Sequence, residues 1–499
     1  MNFNLITTPW IPVRCASGER RVIAPWQMAE KGVVSPDWPR ADLNLACYEF
    51  LIGLIFLADP PRDTTDWSAR RDADPKRLRA KLEAYAGAFN LFGNGPRFLQ
   101  DLEPLDGDQK APDILYLDSA GAQTIRNNAD VMVHRFRYDR LPFAEAAMAI
   151  YTLQSQAASG GAGNRTSMRG GGPLITLVNP ERELWDLVWA NVPCGEPSDI
   201  EALPWMRPTE TSEKGQCRHP PEGRDFNVEA FFGMPRRLRL VSNGAHVIGV
   251  IQKNYGTKYS GWKHPLSPYY RLKLDDEWRA KHPSVGRFGY RNWLGVIVRR
   301  TDNDLTELAL SLRVWLEERG GGGSVIVGGW AVDNAKPLDF IFSQKRLSAY
   351  SDKEVSDLTA LVVAAGGVAD ALISSLRPVL GAGEARAVQK SEFYLETEAG
   401  FRDLFALVLD RSRSGSDPYP VNIEGSWLKI LRAQALKQFD AIGLPGVSIR
   451  GIGRLEEVVA ARRFLGMALN GYSKPGKAIF AALGLSEPVS KKSKKASKE

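Results

Sequence analysis

Between Gly160 and Gly172 the chain reads Gly-Gly-Ala-Gly-Asn-Arg-Thr-Ser-Met-Arg-Gly-Gly-Gly, six glycines in thirteen residues. Such a stretch cannot fill a core. Its backbone is free to reach positive φ and to approach another molecule closely, and Arg165 and Arg169 add fixed positive charge beside backbone N–H groups. That combination suits a polyanion, and taken alone it suits a flexible surface loop equally well. The flanking residues tip the balance. Phe143 to Gln156 reads as a helix and Leu174 to Val178 as a short buried strand, so the loop is expected to be held between two rigid elements.

The charge distribution points the same way. The net charge is +7, yet Phe231 to Arg300 carries fourteen Lys/Arg against Asp275, Asp276 and Glu277, a local excess of 14 − 3 = +11. Ser490 to Glu499 adds five lysines and one glutamate, leaving a mildly acidic body. One basic segment on an acidic body implies a localised polyanion site. Within it Arg236 to Val241, the Asn243-Gly244 turn and His246 to Ile251 form a hairpin signature. Lys253, Tyr255, Lys258, Tyr259, Trp262 and Lys263 then interleave cations with aromatics, a pattern that can hold phosphates and stack on bases.

The remaining elements follow from periodicity. Leu5 to Val13 and Arg20 to Ile23 suggest an N-terminal hairpin with Trp10 inward. Helices are expected at about Ala41 to Leu57, Pro75 to Leu91 (Asp74 as N-cap, proline at the first helical position), Glu183 to Val192 and Thr301 to Glu318. Pro197 to Arg224 is a long polar loop. Ser324 to Val327 and the alternating Leu338, Phe340 and Phe342 predict two strands, with Gly328 to Lys336 between them as a projecting turn. After Tyr350 helices dominate: one follows the Ser351–Glu354 capping box, and others are expected at about Ser391 to Leu409, Gly425 to Ile442 and Leu455 to Asn470. The fold class is therefore α+β, with a mixed domain over 1–350, a four-helix bundle over 351–487 and a basic disordered tail over 488–499.

Catalytic chemistry is largely absent from the pattern. Cys15, Cys47, Cys194 and Cys217 are scattered without a CxxC pair, which argues for reduced thiols and against a zinc cage. Gly471 to Ala478 resembles a phosphate-binding loop, but Ala478 stands where a hydroxyl must reach Mg²⁺, and a helix precedes it. Asp275, Asp276 and Glu277 could serve a metal-dependent nucleic-acid-processing enzyme, but three adjacent acids between Lys273 and Arg279 more often form a solvated turn, and no second acidic cluster is suitably spaced. No charged and then apolar leader opens the chain, and Leu45 to Ala58 is too short to span a bilayer, so a cytoplasmic protein without a membrane is expected. A binding protein without catalytic residues, cofactor or metal is the reading these residues favour; a nuclease and a scaffold contacting only proteins are the alternatives.

Several separated segments, taken in order, resemble one family. They are Asn4-Leu5-Ile6 with Trp10-Ile11-Pro12-Val13, the Gly160 to Gly172 loop followed by Pro173, His264-Pro265-Leu266-Ser267-Pro268, Gly328-Gly329-Trp330, and the terminal helices. The set is similar to the large subunit (CasA) of the type I-E CRISPR Cascade surveillance complex, over nearly the whole chain. The resemblance implies partners: CRISPR RNA, target double-stranded DNA, other Cascade subunits and a helicase-nuclease effector. It also implies recognition of the protospacer-adjacent motif (PAM) mostly from the minor groove, help in R-loop opening, and no catalysis, the protein reading the flanking motif while base pairing reads the rest.

Carried over by position, the family's glycine-rich loop falls on Gly160, Gly161, Ala162 and Gly163 and its groove cation on Lys253; Arg165 and Arg169, read as holding nearby phosphates, and Asn164 and Lys258 join them as DNA-contacting candidates. The wedge falls on Asn334, where the best-known relative carries glutamine, and Lys336 beside it is a further DNA-contacting candidate. The loop touching the guide's 5′ end falls on Met132, Val133, His134 and Arg135. Ser242-Asn243-Gly244 occupies the place where some relatives carry a cysteine cluster, so no metal is expected.

Overall fold

The computed structural model describes residues 3–488 except 129, 131–136, 162, 301–303, 334–335, 382, 415–421 and 446–451. It divides into two compact units, Met1–Ser284 with Leu305–Ala349, and Val285–Asp304 with Tyr350–Glu499. The α+β class expected from the sequence is the class observed.

The first unit holds the strands β1 (Ile11–Cys15), β2 (Arg20–Ile23), β3 (Val33–Pro36), β4 (Gln109–Lys110), β5 (Leu141–Pro142), β6 (Ile175–Asn179), β7 (Arg237–Ser242), β8 (His246–Lys253), β9 (Tyr269–Tyr270), β10 (Arg279–Ala280), β11 (Thr306–Glu307), β12 (Ser324–Asp333) and β13 (Lys336–Arg346). Its helices are α1 (Ala41–Ala58), α2 (Thr64–Ala69), α3 (Pro75–Glu83), α4 (Ala122–Arg126), α5 (Phe143–Gln156), α6 (Leu184–Asn191), α7 (Glu229–Phe232) and α8 (Leu310–Glu318). Four small antiparallel sheets result, ordered β2-β1-β3, β10-β9-β11, β13-β12-β6 and β4-β8-β5, with β7 also paired to β8.

Helix α1 is apolar all round because it is buried all round, packing on α5, α6 and α7 and on β12. It and Asp352–Ser375 are long and apolar enough to cross a membrane by composition, but 89% of the α1 window is buried, as befits a core helix. Phe50 on α1 centres an aromatic cluster, with ring centroids at 5.6 Å from Trp10, 5.8 Å from Phe98, 5.3 Å from Tyr151 and 6.3 Å from Phe232. Trp10 is inward as expected, its Nε1 donating to Leu5 O at 2.8 Å.

The second unit contains α9 (Asp352–Ser375), α10 (Gly383–Ser414), α11 (Ile423–Gly443), α12 (Ile452–Leu469) and α13 (Lys474–Ala482). Ser351 and Glu354 form the expected capping box, Glu354 Oε2 accepting from Ser351 N at 2.7 Å. A short fifth helix, α13, joins the four: the phosphate-loop look-alike is its N-terminal turn, with Ser473 as cap, and Ile479 packs where Gly367 leaves room on α9. The cysteines are free thiols throughout.

Several expectations are corrected. The helix begun at Pro75 ends at Glu83 rather than Leu91, because the chain turns so that Phe89 O can accept from Leu5 N. The first strand begins at Ile11, not Leu5, since Asn4 Oδ1 caps a turn over Ile6 and Thr7. Helix α8 starts at Leu310 rather than Thr301, as Thr306 and Glu307 pair with Tyr270 and Tyr269. Gly328 to Asp333 is not a projecting turn: it continues β12, in register with Phe342 to Lys336, and only 334–335 separate the strands.

The glycines there serve close packing, since a Cβ on Gly329 would sit 2.3 Å from Pro173 O. Finally, 285–304, expected in the N-terminal domain, belongs to the helical unit, where Tyr290 stacks on Phe401 with ring centroids 4.2 Å apart.

Candidate nucleic-acid interface

The glycine-rich segment is a folded loop with its ends tied together. Helix α5 delivers the chain at Gln156, whose carbonyl accepts from Gly172 N at 3.0 Å, while Ala157 O accepts from Ser167 N at 2.8 Å. Its second half is interior. Gly172, at φ +65°, places a hypothetical Cβ 2.2 Å from Trp330 O, so no larger residue fits against β12.

Arg169, expected at a phosphate, is instead in the core with 5% of its surface exposed. Its Nη2 donates to Glu49 Oε1 at 2.7 Å and Oε2 at 3.0 Å, and its Nη1 to Ser267 Oγ at 3.3 Å. The charge of Arg169 is thus spent on α1, and it cannot meet a polyanion. Burial pushes the Glu49 carboxyl up, and the Arg169 guanidinium opposes that rise.

The His264-Pro265-Leu266-Ser267-Pro268 segment closes the same cluster. His264 Nδ1 accepts from Leu266 N at 3.1 Å, and its Nε2 lies 3.5 Å from Glu49 Oε1. Burial, reinforced by the Arg169 charge, holds the imidazole well below its ordinary pKa and therefore neutral. Thr176 N donates to Leu266 O at 2.8 Å, so this segment also braces β6.

The first half of the loop faces outward. Gly160 and Gly161 are exposed. Gly161 has φ +88° with open space where a Cβ would stand, and Asn164 closes the turn through N to Gly161 O at 3.1 Å and Nδ2 to Gly160 O at 2.8 Å. The turn docks on the end of β8: Gln252 Nε2 donates to Asn164 Oδ1 at 2.8 Å, and Tyr255 N to Gly163 O at 2.7 Å. Tyr255 is held at φ +61°, a left-handed conformation that a bulky residue adopts only when its surroundings impose it. Arg165 is half-engaged, its Nε donating to Ser212 Oγ at 2.7 Å and its guanidinium lying 5.9 Å from the Tyr255 ring.

The expected hairpin is present as β7 and β8, and Lys253 stands at the end of β8 opposite Arg237. Arg237 is neutralised by Asp101 at 2.6 Å. The Lys253 ammonium, half-buried, has no ion pair or hydrogen bond among the described residues, nor has that of exposed Lys258. The loop turn and the end of the lysine strand, about ninety positions apart in the chain, are therefore packed together. Lys336 opens β13 beyond the turn and is exposed. Ala162, Asn334, Met132, Val133, His134 and Arg135 lie outside the described residues.

The +11 segment is divided between the two units: Arg287, Arg291, Arg299 and Arg300 belong to the second, and in the first Lys263 pairs with Glu307 at 2.9 Å. Asp275, Asp276 and Glu277 sit in a tight turn in which Asp276 Oδ2 accepts from Lys273 N at 3.1 Å. No group of three His, Cys, Asp or Glu side chains placed to hold a metal occurs among the described residues. Sequence reasoning placed Gln252 and Tyr255 in the basic, aromatic run and Arg236 at the start of the hairpin, but not the contacts of these three with the glycine turn, which join residues far apart in the chain.

The family model for CRISPR-associated protein Cse1 (CRISPR_cse1) matches residues 4–438. A CRISPR associated protein from Thermus thermophilus shares the fold with a TM-score of 0.66 at 18% identity, over 95% of this chain and 100% of that one. Cse1 from Acidimicrobium ferrooxidans gives 0.61 at 16% identity, over 97% of this chain and 99% of that one. A chain of a CRISPR RNA-guided surveillance complex gives 0.65 at 14% identity, over 93% and 99% respectively. A search of curated proteins finds no match. With a family model spanning most of its length and a fold shared end to end with solved relatives, the chain belongs to the CRISPR-associated protein Cse1 family.

Proposed function

We propose that this chain is the non-catalytic large subunit of an RNA-guided DNA surveillance complex and reads the protospacer-adjacent motif in duplex DNA through the face built by the Gly160–Asn164 turn and Lys253. The observation that carries this reading is the docking of the turn onto the end of β8 through Gln252–Asn164 and Tyr255–Gly163, which brings the exposed glycine backbone to the strand end that carries Lys253. Glycines without side chains let the backbone approach base-pair edges, and Lys253 enters the minor groove, where width and acceptor pattern are read. Gly160, Gly161 and Gly163 act by what they lack, and Arg165 supports the turn through Ser212. The β12–β13 tip, with Asn334 and Lys336, enters below the motif and promotes strand separation. Met132, Val133, His134 and Arg135 meet the 5′ end of the CRISPR RNA. Recruitment of the helicase-nuclease follows R-loop formation.

Two substitutions test the face in the complex assembled by co-expression with neighbouring gene products and a guide RNA. Lys253→Ala is expected to weaken binding to motif-bearing duplex by about 5- to 100-fold, with assembly intact. Unchanged affinity would remove the groove role. Gly161→Asn keeps a residue that tolerates positive φ and adds bulk where the structure has space, so the fold survives while duplex recognition falls. If Gly161→Asn binds like wild type, the close-approach role of the turn is wrong.

A further inference from the structure

Against the root of the exposed turn lies a cation with no counter-charge among the described residues. Arg236 immediately precedes β7, with its backbone clamped by Gln154: Gln154 Oε1 accepts from Arg236 N at 3.0 Å and Gln154 Nε2 donates to Arg236 O at 2.9 Å. Only 8% of the residue is exposed. Its Nη2 donates to Ala158 O, and its Nε is sealed from solvent with no hydrogen-bond partner among the described residues. Nη1 has no partner among the described residues, and no carboxylate pairs with the group. The two neighbouring arginines differ: Arg237 pairs with Asp101, and Arg239 Nη1 donates to Asp101 O at 2.9 Å.

The guanidinium is also aimed. A Cβ built on Gly160 would stand 3.0 Å from Nη1 and 3.2 Å from Nη2, so the end of the fork lies against Gly160 at the root of the open turn. Glycine at 160 is what permits that contact. Burial alone brings the Arg236 pKa down to about 10, so the group remains charged at neutral pH. A buried charge without a partner is costly in a folded protein, and it is tolerated where a ligand completes it.

We infer that Arg236 and the Gly160–Gly161 backbone form an anion site for one phosphodiester phosphate of the bound nucleic acid. The site rests on the proposed duplex-reading face and adds to it a backbone anchor. A phosphate suits it because the fork supplies N–H donors in fixed geometry, while the glycine turn leaves space for a tetrahedral anion. Its role is to fix register: a phosphate held at Arg236 sets how far the duplex sits from Lys253, without selecting a base.

The test uses the assembled complex and motif-bearing duplex over a range of salt concentrations. Arg236→Gln is expected to lower the slope of log K against log salt by about 0.9, the value for one lost phosphate contact. Single methylphosphonate substitutions along the duplex should find one position that weakens wild type by at least about fivefold and leaves Arg236→Gln unaffected. If the glutamine variant does not fold, Arg236→Lys is read instead; it keeps the charge without the fork, and its sensitivity at that position should shrink. An unchanged slope and an unchanged methylphosphonate profile overturn the anion site. If Lys253→Ala still weakens binding in that case, the face stands and Arg236 is only a structural donor to Ala158. A wild-type complex that does not bind the duplex overturns both.

Discussion

Arg169→Met should destabilise the first unit by about 3–5 kcal/mol, because it leaves the Glu49 carboxyl buried on α1 without its charge partner. The expected observation is a lower unfolding midpoint in urea at neutral pH, with duplex binding lost through the fold rather than through a missing phosphate contact. The double variant Glu49→Leu with Arg169→Met removes both charges and should recover most of the loss, since apolar replacement of a buried ion pair is often close to neutral. A phosphate-contacting Arg169 predicts the reverse pattern: normal stability, weaker DNA binding and no rescue by the partner change. The geometry favours the ion pair, as both carboxylate oxygens of Glu49 accept from Arg169 Nη2 and the side chains are 0% and 2% exposed.

Tyr290→Ala should cost about 3–5 kcal/mol in the second unit, the range for removing a large aromatic from a packed core. Tyr290 is fully buried, stacks on Phe401, meets Trp427 at 5.7 Å and hydrogen-bonds Thr397 Oγ1 at 2.8 Å. Burial raises its phenol far above the ordinary value, and the ring remains neutral at any working pH. Amide exchange should quicken in α10 and α11 while β12 and β13 keep their protection. Equal loss of protection in the β12–β13 hairpin would show that 285–304 stabilises the first unit instead. In the sequence Tyr290 is one more aromatic within a basic run; in the fold its ring is fully committed to the helical core.

Both cases show what a local pattern can and cannot carry. The 3.6-residue spacing along α5, the Asp74 cap with Pro75 and the Ser351–Glu354 box each depend on neighbours within about one turn, so they were legible. The β7–β8 hairpin was legible for the same reason, with Asn243 and Gly244 setting the turn. The stretch after Gly328 was not, because glycine signals either a turn or a close approach, and only Pro173, 156 positions away, decides for close approach.

By itself, then, the sequence determined the element order, the caps, the α+β class, the concentration of cations between 231 and 300, and the ordered motifs that carry the family resemblance. Tertiary structure alone decided which of those cations are free. Within that segment Arg237 is spent on Asp101 and Lys263 on Glu307, whereas among the described residues Lys253 has no partner and Arg236, buried beside the turn, has no counter-ion; outside it Arg169 is spent on Glu49, 120 residues away. The physical reason is that a charge is available to a ligand only after its partners and its solvent exposure are fixed. Both are set by contacts between distant parts of the chain, to which local periodicity is blind.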